Sequence, residues 1–328
     1  MPRSALLLSE KDLRPLIEFA SHMDTAIDAV ERAIVDYYRG AVRETNLVDQ
    51  TEGPGRPNLL QIHFAADDAL VTGFQVFAES RGGPSLPNTR FITLLEPETR
   101  QLMAIVDYSS LNPLRVGASA GVGCRYLAPA GARTAGILGS SKQARAQLQA
   151  IQRSVPSLER ARVFSPTPEH REAFAREVTE WLDLPVEAVP TAREATLDAD
   201  IVGLANNSRE PVIDLAWVKA GALVISIGSG QLPPAVMDGP RVVATTWDSL
   251  ATREPYASRV KAGSYARQDV AAELGAVILG EAAPRGNDRE TVVFEVTRIN
   301  LWAVGIAHWA YQWALKQGIG TSFTISGD

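Results

Sequence analysis

The sequence predicts an α/β protein built around a parallel, doubly wound sheet. From about residue 133 onward, short apolar segments alternate with helical ones, and repeated strand–helix units of this length produce a parallel sheet. The chain has 328 residues, of which 45% are hydrophobic, and this length suits two domains with sizeable cores. The N-terminal third mixes helices with alternating strands, which predicts a second domain of different architecture.

Composition and charge exclude several classes of protein. The chain carries 32 Lys and Arg against 38 Asp and Glu, so we predict neither a nucleic-acid nor a membrane partner. The single cysteine, Cys124, excludes an internal disulfide, and we predict that it is a small buried residue. The four histidines lack metal-ligand spacing, so we predict no metal site. Leu6–Leu8 is too short for a targeting segment, and we expect a soluble, cytoplasmic protein.

The N-terminal third is predicted to contain two helices followed by strands. Ser9 caps the first helix, and Asp24–Arg39 forms the second, which ends at Gly40. Glycines and prolines predict a loop over residues 41–58. Alternating side chains then predict strands, the last two of which form a hairpin: Leu60–Phe64, Leu70–Phe77, Arg90–Leu95 and Leu102–Val106.

A helix of small residues is predicted next, at about Asn112–Leu127. Its interior contains Gly117, Gly121 and Gly123, although glycine disfavours a helix by about 1 kcal/mol relative to alanine. Small residues at this density indicate that another backbone approaches the helix closely.

The strand–helix alternation begins after this helix. Thr167 is a predicted N-cap with Pro168 behind it, and Thr191 begins a capping box with Glu194. A helix is predicted over Lys142–Gln152. The predicted strands are Thr134–Leu138, Ala161–Phe164, Val186–Val189, Ile201–Ala205, Leu223–Ile227 and Val242–Thr245.

Gly139 lies between the first of these strands and its helix, where a dinucleotide-binding loop has its first glycine. The helix N-terminus there offers free N–H groups and a positive dipole end to a pyrophosphate. Ser141 and Ala144 replace the second and third glycines, and the Ser141 hydroxyl is able to donate to phosphate. An ordinary βα turn is the alternative. The predicted cofactor residues of this loop are Gly139, Ser140, Ser141, Lys142 and Gln143.

The end of the second strand is predicted to contact the adenosine ribose. An acidic residue there would favour NAD by binding the 2′-hydroxyl. The sequence instead has Ser165, Pro166 and Thr167, with His170 and Arg171 close by. Hydroxyl and basic groups suit a 2′-phosphate, so we predict a nicotinamide cofactor, NAD(P)(H), with a preference for NADP(H), and assign Ser165 and Thr167 to its site.

The chain resembles the ornithine cyclodeaminase/mu-crystallin family over nearly its whole length. The order and spacing of the matching segments are more specific than the glycine loop alone. They are Asn112–Ala120, Gly136–Arg145, Ala199–Val202, Asn207–Pro211 and Thr291–Phe294.

The resemblance implies a Rossmann-type parallel sheet inserted in an α+β substrate-binding and dimerisation domain. The dinucleotide-binding domain would cover residues 129–294. Residues 1–128 and 295–328 would together form the second domain. The resemblance also implies a homodimer and a small-molecule substrate.

Family resemblance implies substrate roles for two residues and the loss of a third. Arg115 matches an arginine that binds the substrate carboxylate, as a guanidinium does with two parallel hydrogen bonds. Gln75 aligns with a lysine that takes part in proton transfer, and glutamine cannot ionise. Pro233 aligns with the catalytic aspartate, and no carboxylate lies next to it in sequence.

His63 is the candidate proton-transfer residue, because the ordinary pKa of histidine lies near neutrality. A structural histidine is the alternative. Further cofactor contacts are predicted near the ends of later strands, at Ala205, Asn206, Asn207, Gly228 and Arg298.

These residues predict an NAD(P)H-dependent oxidoreductase that reduces an imine or ketimine, or oxidises an amino acid. One alternative is a redox-neutral, NAD-dependent cyclodeaminase that releases ammonia, which the loss of the aspartate at Pro233 disfavours. The other is a non-catalytic protein that binds a dinucleotide or a small carboxylate, which the replacements at Gln75 and Pro233 would explain.

Overall fold

The computed structural model describes residues 4–18, 22–51, 58–67, 71–80, 89–297 and 300–324. It describes the backbone alone at residues 17–18, 43–44, 46–51, 58–67, 79–80 and 300–301. Within these ranges, no helix is both long enough and apolar enough to span a lipid bilayer.

The described strands, in chain order, are β1 (Ala5–Leu8), β2 (Val42–Thr51), β3 (Asn58–Asp67), β4 (Val71–Ser80), β5 (Thr89–Leu95), β6 (Leu102–Asp107), β7 (Thr134–Leu138), β8 (Arg160–Phe164), β9 (Val186–Ala188), β10 (Ile201–Leu204), β11 (Leu223–Ser226), β12 (Arg241–Ala244), β13 (Ala272–Glu273), β14 (Val292–Glu295) and β15 (Thr321–Phe323). The described α-helices are α1 (Glu10–Glu18), α2 (His22–Tyr38), α3 (Leu111–Leu127), α4 (Lys142–Ser154), α5 (Pro168–Leu182), α6 (Ala192–Thr196), α7 (Trp247–Leu250), α8 (Tyr256–Lys261), α9 (Leu274–Ile278) and α10 (Asn300–Gln317).

The chain forms two compact units, and the second is inserted in the first. One unit comprises Met1–Arg115 and Asn300–Asp328, and the other comprises Val116–Ile299. The changeover at 115/116 falls inside α3. The domain boundaries at 128/129 and 294/295 given above remain predictions.

The first unit contains a seven-stranded sheet in the order β15-β1-β6-β5-β4-β3-β2. Apart from the parallel pair β1 and β6, its neighbours are antiparallel. Helix α10 packs on this sheet, since a Cβ added at Gly73 of β4 would lie 2.9 Å from Val304 of α10. Ile92 and Leu94 of β5 are fully buried.

The inserted unit contains an eight-stranded, wholly parallel sheet. Its order is β13-β12-β14-β11-β10-β7-β8-β9. Every residue of β10, β11 and β14 is buried, as expected for strands with both faces covered. The chain order reverses at β7, because β8 and β9 continue to one side and β10 and β11 to the other. This arrangement confirms the predicted fold class.

Helix α3 approaches a neighbouring backbone closely, as its glycines predicted. A Cβ added at Gly117 would lie 2.4 Å from the carbonyl oxygen of Ala146 in α4. At Gly123 an added Cβ would lie 2.3 Å from the ring of Phe294 in β14. These glycines therefore set how closely α3 packs on α4 and β14.

One prediction about local structure is wrong, and the predicted N-cap at Thr167 is confirmed in position only. Residues 42–51 were predicted as loop but form β2, which pairs with β3 along its whole length at the edge of the sheet. An edge strand exposes one side to solvent and needs little apolar character, so its polar sequence concealed it. Thr167 does precede α5, but its side chain makes no capping hydrogen bond.

Replacing Gly117 with alanine tests the close approach of α3 and α4. Alanine favours a helix by about 1 kcal/mol over glycine, yet we expect Gly117→Ala to lower the thermal unfolding midpoint, because the added methyl meets the Ala146 backbone. Gly305→Ala in α10 is the matched control, since nothing lies within 4 Å of its added Cβ. A higher midpoint for Gly117→Ala would contradict this packing.

Candidate active site

The chain order of the parallel sheet reverses at β7. Ligands of open α/β sheets bind outside the carboxyl ends of the strands at such a switch point. Here that position is beside the segments that follow β7 and β10. We call the residues that directly follow the carboxyl end of a strand its exit.

Gly139 forms the β7 exit and needs to be glycine. Its φ is +136°, and an added Cβ would lie 2.1 Å from the carbonyl oxygen of Ala205 at the β10 exit. The Gly139 N–H donates to the Phe164 carbonyl of β8 at 2.8 Å. Gly139 therefore allows the β7 and β10 exits to touch.

Ser141 acts as the N-cap of α4. Its hydroxyl accepts from the Ala144 N–H at 3.3 Å and donates to the Ala205 carbonyl at 3.4 Å. The first two residues of α4, Lys142 and Gln143, have N–H groups that lack an acceptor within the helix. These two N–H groups and the positive end of the helix dipole fit a phosphate.

The β8 exit is tied to the glycine loop by hydroxyl groups. The Ser140 hydroxyl donates to the Ser165 hydroxyl at 3.1 Å, which donates to the Thr167 carbonyl at 3.3 Å. Arg171 of α5 donates from Nη1 to the Ser165 carbonyl at 3.0 Å and to the Pro166 carbonyl at 3.5 Å. A guanidinium therefore lies at the exit predicted to contact the ribose.

A buried side chain, Gln231, links the β10 and β11 exits. Its Oε1 accepts from the Gly228 N–H at 3.1 Å, and its Nε2 donates to the Asn206 carbonyl at 2.6 Å and to Asn206 Oδ1 at 3.0 Å. Asn206 Nδ2 in turn donates to the Leu138 carbonyl of β7 at 3.1 Å. This chain of bonds fixes three neighbouring exits, those of β7, β10 and β11. Sequence reasoning missed Gln231, because Asn206, the partner that joins it to the β10 exit, lies 25 residues away.

Asn207 lies beside this chain of bonds and is exposed. Pro233 begins a short 3₁₀ turn after the β11 exit and is half-buried. Arg298 lies outside the described residues.

Arg115 of the first unit has an oriented guanidinium. Its Nε donates to Tyr108 Oη at 2.9 Å, and its Nη2 donates to Asn112 Oδ1 at 2.6 Å. Tyr108 and Asn112 are themselves buried. Two buried partners therefore fix the orientation of this half-buried guanidinium, as supporting hydrogen bonds do for groups that bind ligands. Sequence reasoning missed the role of Tyr108.

Gln75 lies on the face of β4 that packs on α10. It is two residues from Gly73, and side chains two apart in a strand share a face. The strand register pairs its backbone with His63 of β3 on one side and Ile92 of β5 on the other. The sheet thus brings the backbones of two predicted catalytic residues together, while the His63 side chain lies outside the described atoms.

Cys124 is buried in α3, which confirms the prediction for it. Burial raises the pKa of its thiol far above the ordinary value, so the group stays a protonated thiol. Among the described residues, no group of three or more His, Cys, Asp or Glu side chains is placed to hold a metal ion.

Comparison with known proteins places this architecture in a family. A model of the ornithine cyclodeaminase/mu-crystallin family matches residues 12–317. The Δ1-pyrroline-2-carboxylate reductase of Bacillus cereus is 30% identical over 236 residues, covering 70% of this chain and 72% of that protein. The ketimine reductase mu-crystallin of Mus musculus is 26% identical over 300 residues, covering 89% of this chain and 92% of that protein.

A solved structure shows the same architecture. Δ1-pyrroline-2-carboxylate reductase of Thermococcus litoralis, determined in complex with NADH and L-proline, matches with a TM-score of 0.85 and 28% identity. The match covers 96% of this chain and 99% of that chain. The family resemblance seen in the sequence is confirmed.

The link made by Gln231 is tested by Gln231→Leu, which keeps the volume of the side chain and removes its hydrogen bonds. The three hydrogen bonds of this side chain contribute about 0.5–1.5 kcal/mol each, so we expect a lower urea midpoint with an unchanged m-value. Hydrogen exchange at the Gly228 amide should also become faster. Gln268→Leu, at an exposed position, is the control. Equal losses in both variants would contradict the link.

Proposed function

This chain belongs to the ornithine cyclodeaminase/mu-crystallin family and is an NAD(P)-dependent oxidoreductase of the type its relatives represent, and on that premise we propose that it reduces a carboxylate-bearing imine or ketimine to an amino acid. The reverse direction is oxidation of the same amino acid. The observation that carries the proposal is the oriented guanidinium of Arg115.

Arg115 binds the substrate carboxylate in this proposal. Tyr108 and Asn112 engage its Nε and Nη2, so the guanidinium is held in one orientation before substrate arrives. A fixed guanidinium loses little entropy when it forms bidentate hydrogen bonds to a carboxylate. The names of two relatives support this substrate class, since one reduces a pyrroline-2-carboxylate and the other a ketimine.

The exits of β7, β8, β10 and β11 hold the dinucleotide. Gly139 lets the β7 and β10 exits meet, and the N–H groups of Lys142 and Gln143 bind the pyrophosphate beside them. The shape of this binding surface is fixed by hydrogen bonds within the protein, made by Ser140, Ser141 and Asn206. The nicotinamide end of the cofactor lies beside the segments at Ala205, Asn207 and Gly228. When bound, the nicotinamide supplies the hydride that reaches the imine carbon.

Gln75 and His63 manage the proton in this proposal. Reduction of a C=N bond adds a hydride to carbon and a proton to nitrogen, and Gln75 cannot be the acid. Its amide orients the substrate or a water molecule, and His63, its partner in the strand register, supplies the proton. Ammonia elimination is less well supported, because Pro233 provides no carboxylate near the β11 exit.

We expect the protein to carry out this function as a homodimer. The faces of β4, β5 and β6 that point away from α10 carry apolar side chains that stay half-exposed in one chain: Val76, Phe91 and Ile105. Val76 lies opposite Phe91, and Ile105 lies opposite Thr93, two residues further along β5. A second copy of the chain would cover them, because a sheet face of this kind is favoured when buried.

Arg115→Met is expected to lower kcat/KM for Δ1-pyrroline-2-carboxylate by about 100-fold, because hydrogen bonds to a charged group contribute about 1.5–3 kcal/mol each. Δ1-Pyrroline, which lacks the carboxylate, should be reduced equally by both proteins, and the dissociation constant for cofactor should not change. Arg125→Met, an exposed position in the same helix, is the control. NADPH and NADH oxidation followed by absorbance measures each rate.

Other results of these assays would support other functions. Cofactor binding without turnover of any imine would indicate a non-catalytic binding protein. Ammonia release from ornithine without added cofactor would indicate a cyclodeaminase. Absence of binding to both NADH and NADPH would overturn the proposal.

Arg171 is expected to favour NADPH over NADH. Its guanidinium lies at the β8 exit, where no carboxylate follows the strand. Arg171→Ala should raise the dissociation constant for NADPH by about tenfold or more and leave that for NADH unchanged. Arg176→Ala, exposed on the same helix, should change neither. Calorimetric titration that finds equal losses for both cofactors would contradict a 2′-phosphate role.

A further inference from the structure

We infer that Arg253 and Glu295 form a positioning pair, an ion pair with a buried carboxylate that holds the β11 and β14 exits together at the nicotinamide end of the cofactor site. The inference rests on the proposed function, since it assigns the pair to the binding of that cofactor. Neither residue was singled out by the sequence.

The pair lies at the carboxyl end of β14 and joins a buried carboxylate to a half-buried guanidinium. Glu295, the last residue of that strand, is 2% exposed, and its Oε2 lies 3.7 Å from Arg253 Nη2. Arg253 also donates from Nη1 to the Val296 carbonyl at 2.6 Å. One guanidinium therefore contacts both the end of β14 and the first residue of its exit.

The residue after Arg253 is bonded to the β11 exit. The Glu254 N–H donates to the Ser229 hydroxyl at 3.1 Å, and the Gly230 N–H donates to the Glu254 carbonyl at 2.8 Å. The two strands are direct neighbours, with Ser226 opposite Glu295. The segment 253–254 thus bridges two adjacent exits, and the ion pair joins it to β14.

Threonines hold the β14 exit from the opposite side. The Thr246 N–H donates to the Thr297 hydroxyl at 3.0 Å, and the Thr297 N–H donates to the Thr245 hydroxyl at 3.2 Å. These bonds tie β14 to β12 but not to β11. The β14 and β11 ends are also joined directly, because the Val296 N–H donates to the Ser226 carbonyl at 2.9 Å. Arg253 adds a side-chain link from β14 to the segment that bonds Ser229 and Gly230 of the β11 exit.

Stability alone does not explain a pair with this geometry. The 3.7 Å separation is too long for a hydrogen bond, and among the described atoms neither Glu295 Oε2 nor Arg253 Nη2 has a hydrogen-bond partner. Burial raises the pKa of the Glu295 carboxyl, and the Arg253 guanidinium opposes that shift. Apolar residues often replace such a pair at no cost in stability, so placement of the exits is the role that remains.

A double variant separates placement from stability. Arg253→Met and Glu295→Gln should each lower the thermal midpoint, because each leaves one buried group uncompensated. In Arg253→Met/Glu295→Gln the midpoint should largely recover. The dissociation constant for the preferred cofactor should nevertheless stay raised by about tenfold, with a reduced kcat, because the exits are no longer held.

Two further measurements keep the test decisive if the double variant folds poorly. Arg253→Lys retains the charge but cannot span Glu295 and the Val296 carbonyl together, so it should raise the same dissociation constant and speed hydrogen exchange at the Gly230 amide. Lys219→Met is the control, because it breaks the ion pair with Asp200 at the opposite, amino-terminal edge of the sheet. It should leave cofactor binding unchanged.

These tests separate a failure of the positioning role from a failure of the proposed function. If the unmodified protein binds neither NADPH nor NADH, the proposed function fails and this inference with it. If the unmodified protein binds cofactor and the double variant binds it equally well with the same kcat, only the positioning role is overturned. An equal loss in Lys219→Met, or unchanged Gly230 exchange in Arg253→Lys, would overturn it as well.

Discussion

The contact between the Gly139 backbone and the Ala205 carbonyl is the constraint on which the nucleotide-binding architecture depends. An added Cβ would lie 2.1 Å from that carbonyl oxygen, so the β7 and β10 exits meet only because residue 139 lacks a side chain. The exits flank the point where chain order in the parallel sheet reverses. Ser141, the N-cap of α4, donates to the same Ala205 carbonyl. Next to this contact, Asn206 bonds to Leu138 and accepts from Gln231.

Polar side chains at this edge mainly bind other parts of the protein. Ser141 caps its own helix, Gln231 joins two exits, and Arg171 contacts backbone carbonyls. Hydroxyl and amide groups used in this way fix the shape of the proposed dinucleotide site. The backbone N–H groups at the start of α4 have no acceptor within the helix and can donate to a phosphate. In the first unit Arg115 follows the same principle, since Tyr108 and Asn112 orient it.

Local patterns predicted most of the fold because the physics behind them is local. Apolar runs marked the buried strands, Thr191 marked a capped helix, and the glycines of α3 marked a close approach. The edge strand β2 was not predicted, because its polar sequence was taken for a loop although it reflects solvent exposure of a paired strand. Gln231 and Arg253 were missed for another reason. Each joins its own segment to a second one, through Asn206 at 25 residues and Val296 at 43 residues, and no spacing rule connects such pairs.

The β8 exit is joined to the glycine loop through few groups, chiefly the Ser140–Ser165 hydroxyl bond and the Gly139 N–H to the Phe164 carbonyl. The β7, β10 and β11 exits are instead interlocked through buried amides. In the proposed function the β8 exit selects between dinucleotides, and its few links make that part of the site modular. Under that proposal, redesign around Ser165 and Arg171 would retune cofactor choice and leave the proposed hydride-transfer end undisturbed, which makes this exit the natural target for engineering.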